Sequence, residues 1–339
     1  MIPATMRALE LRAYDGRLHL VQKPVPTPGP GQVLVKMAAS PVNPSDLKFI
    51  VGGYGIKKAL PVVPGLEGSG TVVAAGPGLM GKFQVGKRVG CMASEVLDGT
   101  WAEYMVTEAR RAIPLNKNVT LEQGAMMVVN PWTAWALLDT ARRAGHRAAV
   151  HTVAASQLGR MLLRLGQREN FPIIHVVRRA EQAALLSKMG ATLVLNSSDA
   201  DFDARLRESC QMHGATVAFD PVAGKMTGRV LAAMPEGSTA IVYGSLSDDA
   251  VTVRPEQFIY EGKRVEGFWL SKWVAKKGLL GRAKMAFGLQ KRLATDLQTE
   301  VRARVTLEGA AEAIEGYKRE MTGGKVLIMP GGAGSFGCA

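Results

Sequence analysis

"AAVHTVAASQLGRMLLRLGQREN", residues 148–170, joins a short apolar run to a segment with the length and periodicity of a helix. Further apolar runs follow it, with helical segments between them, at 172–178, 191–196, 215–221, 238–245 and 264–270. Short apolar runs that alternate with helical patterns indicate βαβ units. The sequence therefore predicts an α/β region built on a doubly wound parallel sheet.

The part of the chain before about residue 120 has a different pattern. Segments such as PVPTPGPGQVLVKMAASPVNP (24–44) and EGSGTVVAAGPG (67–78) place short apolar runs between glycine and proline turns. Several short strands bounded by turns predict a barrel-like all-β unit. The tail contains two helical regions and a final strand, GKVLIMP (324–330). It is too short to be a domain, so we expect it to pack on the first unit.

Length and composition are those of a globular protein with two domains. The chain has 339 residues, of which 47% are hydrophobic and 21% are charged. No apolar run approaches the roughly 20 residues that span a bilayer, and the N-terminus lacks the apolar core of a signal peptide. The three cysteines, Cys91, Cys210 and Cys338, form no CxxC pair and suit a reducing compartment. We therefore expect a cytoplasmic protein without a membrane partner.

The formal net charge is +13, and the basic residues are dispersed along the chain rather than gathered in one block. Such a surface attracts a phosphorylated cofactor, a phosphorylated substrate or an acidic carrier protein. No nucleic-acid-binding motif accompanies the charge, so nucleic acid is not an expected partner.

The turn after the first predicted strand, VAASQLGRM (153–161), has the composition of a dinucleotide-binding turn. A pyrophosphate needs small residues there, because it approaches backbone N–H groups at the helix N-terminus. Gly159 in addition permits close packing of the helix on the sheet. The candidate cofactor-binding residues of this turn are Ala155, Ser156, Gln157 and Leu158. The full GxGxxG pattern is absent, so a simple connection between strand and helix is the alternative interpretation.

The second predicted strand ends in VVRRAEQ (176–182), where NAD-selective proteins commonly carry an acidic residue against the ribose. Arg178 and Arg179 stand at that position, and a guanidinium suits a 2′-phosphate. The sequence therefore favours NADPH over NADH. Surface charge without a ligand is the alternative interpretation of both arginines, and Glu181 keeps dual specificity open.

Four local signatures bring these patterns together: PGPGQVLVK (28–36), PVVPGLEGSGTVVAAG (61–76), FQVGKRV (83–89) and GGKVLIMP (323–330). With the turn-rich β unit, the inserted dinucleotide sheet and the short return segment, they resemble the medium-chain dehydrogenase/reductase superfamily over essentially the whole chain. The resemblance implies a GroES-like β-barrel catalytic domain formed by residues 1–122 and 270–339. It also implies a Rossmann dinucleotide-binding domain at 123–269.

The zinc-dependent members of this superfamily hold their metal with ligands that this chain does not have. Zinc alcohol dehydrogenases of the superfamily place a cysteine in the element resembling SPVNPSD and a histidine in the one resembling PGLEGSG, where this chain has Asn43 and Leu66. Residues 92–145 contain neither Cys nor His to supply a third ligand. Because zinc needs three or four ligands in close geometry, no metal site is expected.

Within the zinc-free branch, the candidates are 2-enoyl thioester reductases of the mitochondrial type and quinone or enone reductases. Five segments resemble the first subgroup: NPSDLKFIVGGYG (43–55), VNPWTAW (129–135), VVRR (176–179), IVYGSLS (241–247) and GFWLSKW (267–273). The resemblance implies transfer of a hydride from NADPH to the β-carbon of an α,β-unsaturated carbonyl, most favourably a 2-enoyl thioester, with an acyl carrier protein as a candidate partner. The tyrosine that corresponds to Tyr54 is catalytic in that subgroup, and a hydroxyl can stabilise the developing enolate or relay a proton.

The resemblance also implies cofactor-binding residues and a homodimer joined through edge strands of the dinucleotide domains. Asn43 and Asn130 are expected near the nicotinamide, and Thr133 is expected to touch the cofactor. Lys325 is expected to reach the adenosine phosphate or ribose. Further positions expected to line the cofactor are Tyr243, Gly244, Ser245, Leu246, Phe268, Trp269 and Leu270.

Structural alternatives stay open for these residues. Tyr54 is otherwise a turn residue, Asn43 and Asn130 each precede a proline and are otherwise turn caps, and the aromatic cluster near Phe268 is otherwise core. Two functional alternatives also stay open. One is a quinone or small enone reductase, and the other is a non-catalytic NADPH-binding protein with affinity for nucleic acid.

Overall fold

The computed structural model describes residues 1–332, apart from the side chain of Leu279. The chain forms two compact units, Met1–Val129 with the segment from Lys284 onward, and Asn130–Ala283. The sequence predicts these boundaries after residues 122 and 269. Cys91 and Cys210 are buried free thiols, and Cys338 lies outside the described residues.

Strands predominate in the first part of the chain, and strands and helices alternate in the middle part. Before the first boundary the chain forms β1 (Thr5–Leu11), β2 (Leu18–Pro24), β3 (Gln32–Pro41), α1 (Pro44–Ile50), β4 (Glu67–Ala75), α2 (Leu79–Lys82), β5 (Arg88–Met92), β6 (Tyr104–Glu108), a 3₁₀ turn (Ala109–Arg111), β7 (Ala112–Pro114) and α3 (Leu121–Ala125). The middle of the chain forms α4 (Val129–Arg143), β8 (Ala148–His151), α5 (Gln157–Arg168), β9 (Ile173–Val177), α6 (Ala180–Lys188), β10 (Val194–Asn196), α7 (Phe202–His213), β11 (Ala215–Asp220), α8 (Gly224–Ala233), β12 (Thr239–Val242), α9 (Pro255–Ile259), β13 (Arg264–Gly267) and α10 (Leu270–Ala275). The last described part forms α11 (Leu279–Gln290), β14 (Val301–Val305), α12 (Ala310–Arg319) and β15 (Lys325–Ile328).

The first unit is built on one large sheet with strand order β14-β15-β3-β4-β5-β7, and β6 also pairs with β3. Apart from the parallel pair β14–β15, its neighbouring strands are antiparallel. β15 pairs with β3 through Ile328 and Ser40, so the last described strand returns to the sheet begun near the N-terminus. A core that includes the fully buried Trp101 and Phe49 packs against this sheet.

The second unit is built on a six-stranded sheet with the order β10-β9-β8-β11-β12-β13, in which all neighbours are parallel. The order reverses at β8, so right-handed crossovers place the connecting helices on both faces. The predicted combination of a β-rich GroES-like unit and a doubly wound parallel sheet is thereby confirmed. In such a sheet ligands bind at the carboxyl ends of the strands where the order reverses, in this chain β8 and β11.

None of the helices formed by residues 1–332 is both long and apolar enough to cross a membrane.

Candidate functional site

The turn that follows β8 has the geometry of an anion-binding turn. Ser156 caps α5, and its hydroxyl accepts a hydrogen bond from the N–H of Gly159 at 3.1 Å. The two preceding residues, Ala154 and Ala155, are buried, and their small side chains allow other groups to pack closely against the backbone. Because α5 is 12 residues long and begins at this turn, its N-terminal N–H groups and dipole favour a phosphate there.

Gly159 and Arg160 hold this turn in place. A Cβ at Gly159 would lie 2.2 Å from the carbonyl oxygen of Ala154, so only glycine allows the helix to approach the strand this closely. The Arg160 side chain is 3% exposed, and its Nε donates to the carbonyl oxygen of Ala155 at 3.0 Å. The sequence reasoning missed Arg160, although a charged residue inside an otherwise apolar helix face is a signal for such a role. Gln157 and Leu158, predicted with this turn, form the first turn of α5 and are buried.

Asp220 connects the ends of the two strands at which the sheet order reverses, and it was also missed. It is fully buried at the end of β11, and its carboxylate accepts hydrogen bonds from the hydroxyls of Thr152 (2.5 Å) and Thr227 (2.6 Å). The backbone N–H of Val222 donates to it at 2.9 Å. Asp220 therefore fixes the loops that follow β8 and β11. An aspartate directly before a proline at the end of an apolar run was the available signal.

Tyr243 follows β12, as expected, and its hydroxyl lies 2.8 Å from Nε2 of His151. Burial lowers the pKa of His151 to about 3 and raises the pKa of Tyr243 well above its ordinary value, so both groups are uncharged at neutral pH. The hydrogen bond therefore joins two neutral side chains and orients the tyrosine ring at the edge of the sheet. A Cβ at Gly244 would lie 2.9 Å from the carbonyl oxygen of Pro221, and Ser245 and Leu246 beyond it are exposed.

The two arginines after β9 have different surroundings. Arg179 stands at the N-cap position of α6, and its Nε lies 3.0 Å from a carboxylate oxygen of Glu181. Arg178 is exposed, and within residues 1–332 its guanidinium makes no ion pair. The hydroxyl of Ser198 donates to the Arg178 carbonyl at 2.9 Å, which fixes the backbone. Arg178 is therefore the arginine whose charge is available to a ligand, a distinction that the sequence did not provide.

The remaining predicted residues of the second unit lie at the start of α4 and between β13 and α10. Asn130 is half-buried and Thr133 is 7% exposed, both in the first turns of α4. Phe268, Trp269 and Leu270 are half-buried where β13 leads into α10. The backbone N–H of Phe268 donates to the carbonyl of Val242 at 2.8 Å.

Tyr54 lies in the first unit, in the loop after α1, half-buried and packed against the core. Tyr14 anchors this loop on both sides of Tyr54. Its hydroxyl donates to the carbonyl of Lys58 at 2.9 Å and accepts from the N–H of the same residue at 2.8 Å. Its Cβ lies 3.1 Å from the position of a Cβ on Gly52, whose φ of +74° favours glycine.

The Lys58 side chain provides a second anchor for the same loop. It is 7% exposed, and its Nζ donates to the carbonyl of Leu97 at 2.7 Å. Burial lowers the pKa of Lys58 to about 8, against the opposing effect of Asp98. The tyrosine therefore sits in a loop that is fixed at its start and its end.

Two predicted cofactor residues, Lys325 and Asn43, lie in a hydrogen-bonded cluster inside the first unit. Lys325 is 2% exposed, and its Nζ donates to Oδ1 of Asn43 at 2.5 Å and to the carbonyl of Val42 at 3.1 Å. The ammonium is enclosed and hydrogen-bonded inside the first unit, and its approach to the adenosine phosphate or ribose stays a prediction. Asn43 is fully buried, and its Nδ2 donates to Glu67 at 3.0 Å. Asn43 therefore belongs to this network, and its place near the nicotinamide stays a prediction.

The network continues through two carboxylates. Asp46 accepts from the N–H of Asn43 at 2.8 Å and from that of Leu66 at 2.9 Å. Glu67 accepts from the N–H groups of Val128 (3.1 Å) and Val129 (2.9 Å), where α4 begins. Burial raises the pKa of both carboxyls, that of Asp46 to about 7. We call Asn43, Asp46, Glu67 and Lys325 the buried network.

The buried network does not fit a zinc ion. Asn43 and Leu66 hold the two positions at which the zinc enzymes have a thiolate and an imidazole, and the cation beside Asn43 is the Lys325 ammonium. Among the described residues, no cluster of three or more His, Cys, Asp or Glu side chains has the arrangement of a metal site. The buried positive charge in this part of the unit is supplied by the chain itself.

Comparison with known proteins agrees with this architecture. Residues 29–117 match the alcohol dehydrogenase GroES-like domain, and residues 158–284 match the zinc-binding dehydrogenase domain. The mitochondrial enoyl-[acyl-carrier-protein] reductase of Arabidopsis thaliana is 31% identical over 266 residues, which cover 77% of this chain and 70% of that protein. The rat protein of the same name is 29% identical over 273 residues, covering 79% and 69%.

Two solved structures are similar over almost the whole chain. One, assigned as an NADPH:quinone reductase from Mesorhizobium loti, is 38% identical, covers 97% of this chain and 100% of that one, and has a TM-score of 0.91. The other, a mycobacterial protein complexed with NADPH, is 27% identical, covers 96% and 100%, and has a TM-score of 0.83. With the strand order and the two domain matches, these likenesses show that the chain belongs to the medium-chain dehydrogenase/reductase superfamily of oxidoreductases.

Proposed function

We propose that this protein is a zinc-independent, NADPH-dependent reductase that transfers a hydride to the β-carbon of an α,β-unsaturated carbonyl, with 2-enoyl thioesters as its favoured substrates. The observation that carries the proposal is Tyr54, a hydroxyl on an anchored loop of a unit in which Asn43 and Leu66 replace zinc ligands. The Arabidopsis and rat relatives are named as enoyl-[acyl-carrier-protein] reductases, which supports the substrate class.

The proposed cofactor is held by the carboxyl edge of the parallel sheet. The N–H groups at the start of α5 and the capped Ser156 turn receive the pyrophosphate, and Arg178 pairs with the 2′-phosphate. Thr133, Tyr243 and the residues after β13 complete the set of proposed contacts. The mycobacterial relative was crystallised with NADPH, which supports this choice of cofactor.

NADPH, when bound, supplies the hydride. As the new C–H bond forms at the β-carbon, the electrons of the C=C bond move towards the carbonyl and leave negative charge on its oxygen. Tyr54 donates a hydrogen bond to that oxygen and so stabilises the enolate, the role that a metal has in zinc enzymes of the superfamily. The α-carbon then takes a proton, which Tyr54 delivers directly or relays from solvent.

A quinone or small enone reductase is the second candidate function. It is favoured by the Mesorhizobium loti structure, whose assignment is NADPH:quinone reductase and whose identity to this chain is 38%. Because both candidates use the same hydride and the same fold, only the acceptor distinguishes them.

The acceptor is identified by following NADPH oxidation with crotonyl-CoA, a longer 2-enoyl-CoA, 2-hexenal and benzoquinone. We expect kcat/KM for the thioesters to exceed that for benzoquinone by at least about tenfold, because a specific acyl site binds the transition state of its own substrate. Faster reaction with benzoquinone or hexenal assigns the protein to the second candidate function. Absence of turnover with all four acceptors contradicts both.

The cofactor preference is tested by Arg178→Ala. We expect the Kd for NADPH to rise about tenfold while that for NADH stays unchanged, because only NADPH carries the phosphate that Arg178 pairs with. Titration of protein fluorescence with each nucleotide measures both constants. Arg179→Ala is the matched variant, and its effect should be smaller because Glu181 already pairs with that guanidinium. Equal losses in the two variants would contradict the assignment to Arg178.

A further inference from the structure

Residues 79–87, LMGKFQVGK, present their apolar side chains to solvent. Leu79 is 75% exposed, Phe83 72%, Met80 56% and Val85 48%, whereas the polar Gln84 in the same segment is 8% exposed. This arrangement inverts the usual pattern, in which a loop buries its apolar residues and exposes its polar ones. We call residues 79–87 the apolar–cationic loop.

The apolar–cationic loop is firmly attached to the first unit. The buried Gln84 Nε2 donates to the carbonyl oxygens of Ala109 (3.0 Å) and Ala112 (2.8 Å). The N–H of Gly86 donates to the carbonyl of Val72 in β4 at 2.8 Å. The exposed apolar side chains are therefore held outward by a fixed backbone rather than by local fraying.

Exposed cationic residues accompany these apolar side chains. Lys82 and Lys87 lie within the loop, and Arg110 lies in the 3₁₀ turn to which Gln84 is bonded. All three are exposed, and none forms an ion pair with another residue of the described chain. The loop contains no acidic residue, and the nearby Glu108 is paired with Arg111 at 3.0 Å. The loop therefore combines protruding apolar groups with uncompensated positive charge.

We propose that the apolar–cationic loop docks the protein on the surface of an anionic phospholipid bilayer. Apolar side chains that protrude can insert among lipid headgroups, while lysines and arginines beside them attract the negative surface. An amphipathic helix from a protein partner is instead bound by a groove, and side chains exposed by about half or more are not the walls of one. The net charge of +13 also favours attraction of the whole protein to a negatively charged membrane surface.

Docking of this kind needs no segment that spans the bilayer. The proposal therefore agrees with the lack of a long apolar run in the sequence, but it revises the expectation that the protein has no membrane partner. It does not depend on the proposed reductase activity, since its test measures binding alone.

The test is co-sedimentation of the full chain with vesicles. We expect the protein to pellet with phosphatidylcholine vesicles that contain about one-third phosphatidylglycerol, and to stay in solution with phosphatidylcholine alone. Leu79→Ser/Phe83→Ser and Lys82→Gln/Lys87→Gln should each lower the partition coefficient at least about tenfold. Met212→Ser, which removes an apolar side chain that is 71% exposed on α7, should leave binding unchanged.

All these positions are exposed, so thermal unfolding midpoints equal to that of the wild type will show that the variants fold. Wild-type protein that stays in solution with the anionic vesicles overturns the proposal, as do loop variants that pellet as the wild type does. A dimer that Leu79→Ser/Phe83→Ser dissociates, found by sedimentation velocity without any vesicle binding, also overturns it and assigns the loop to contact between copies of the chain.

Discussion

Replacing Tyr54 by phenylalanine is expected to lower kcat for a 2-enoyl thioester by about two orders of magnitude and to leave the Kd for NADPH unchanged. The substitution removes one oxygen atom and keeps the ring that packs against the core. The loss therefore falls on stabilisation of the enolate, which exists only after hydride transfer has begun. An interaction made only in the transition state changes kcat more than KM.

The anchoring of the loop makes this expectation specific to the hydroxyl. Tyr14 and Lys58 hold the loop by hydrogen bonds that do not involve Tyr54, so the phenylalanine variant keeps the loop in place. Tyr260→Phe is the matched control, because Tyr260 is 77% exposed and lies in the second unit. Stopped-flow measurement of NADPH oxidation separates the hydride step from substrate binding.

Two results would contradict the role of Tyr54. An unchanged kcat on thioesters would make Tyr54 a turn residue and remove the main support for the proposed mechanism. A rise in KM with an unchanged kcat would place the hydroxyl in substrate binding rather than in catalysis.

The sequence predicts the fold because the fold depends on local signals that repeat. The apolar runs recur with helices between them, and the connection after β8 is marked by the small residues Ala154 and Ala155. The capped turn after β8 is predictable for the same reason, since its small residues and Ser156 are consecutive in the chain. Tyr54 was predicted by resemblance, whereas the anchoring of its loop by Tyr14 was not predicted, because the two residues are 40 positions apart in the chain.

The contacts that the sequence did not predict involve groups that are defined by partners on other elements. A lysine at the start of a strand is ordinarily exposed, and nothing near Lys325 in the chain indicates that it meets Asn43, which precedes it by 282 residues. Asp220 was missed because its partners Thr152 and Thr227 lie on other elements. The apolar–cationic loop was interpreted as an ordinary part of a β unit, because an apolar run by itself does not show which way its side chains face.

Replacing Lys325 by methionine is expected to lower the free energy of unfolding by about 3–5 kcal/mol at alkaline pH. Methionine has a similar length, so the variant keeps most of the packing and removes the charge. Asp46 and Glu67 then stay in a fully buried site without the ammonium that stabilises their charged forms. A surface control is Lys318→Met, whose partner Glu315 lies at 2.6 Å in a largely exposed pair, and its effect should be less than about 1 kcal/mol.

The pH dependence distinguishes loss of this charge from loss of packing. The pKa of Asp46 is about 7 in the folded protein against an ordinary value of 3.8, so between these values the folded state binds a proton that the unfolded state has released. The free energy of unfolding therefore falls as pH rises through this window. Without Lys325 the pKa of Asp46 rises further, and the fall extends to higher pH. Urea denaturation at about pH 5.5 and about pH 8.5 should show a larger difference between variant and wild type at the higher pH. An equal difference at both values would mean that Lys325 contributes packing and hydrogen bonds but no net electrostatic stabilisation.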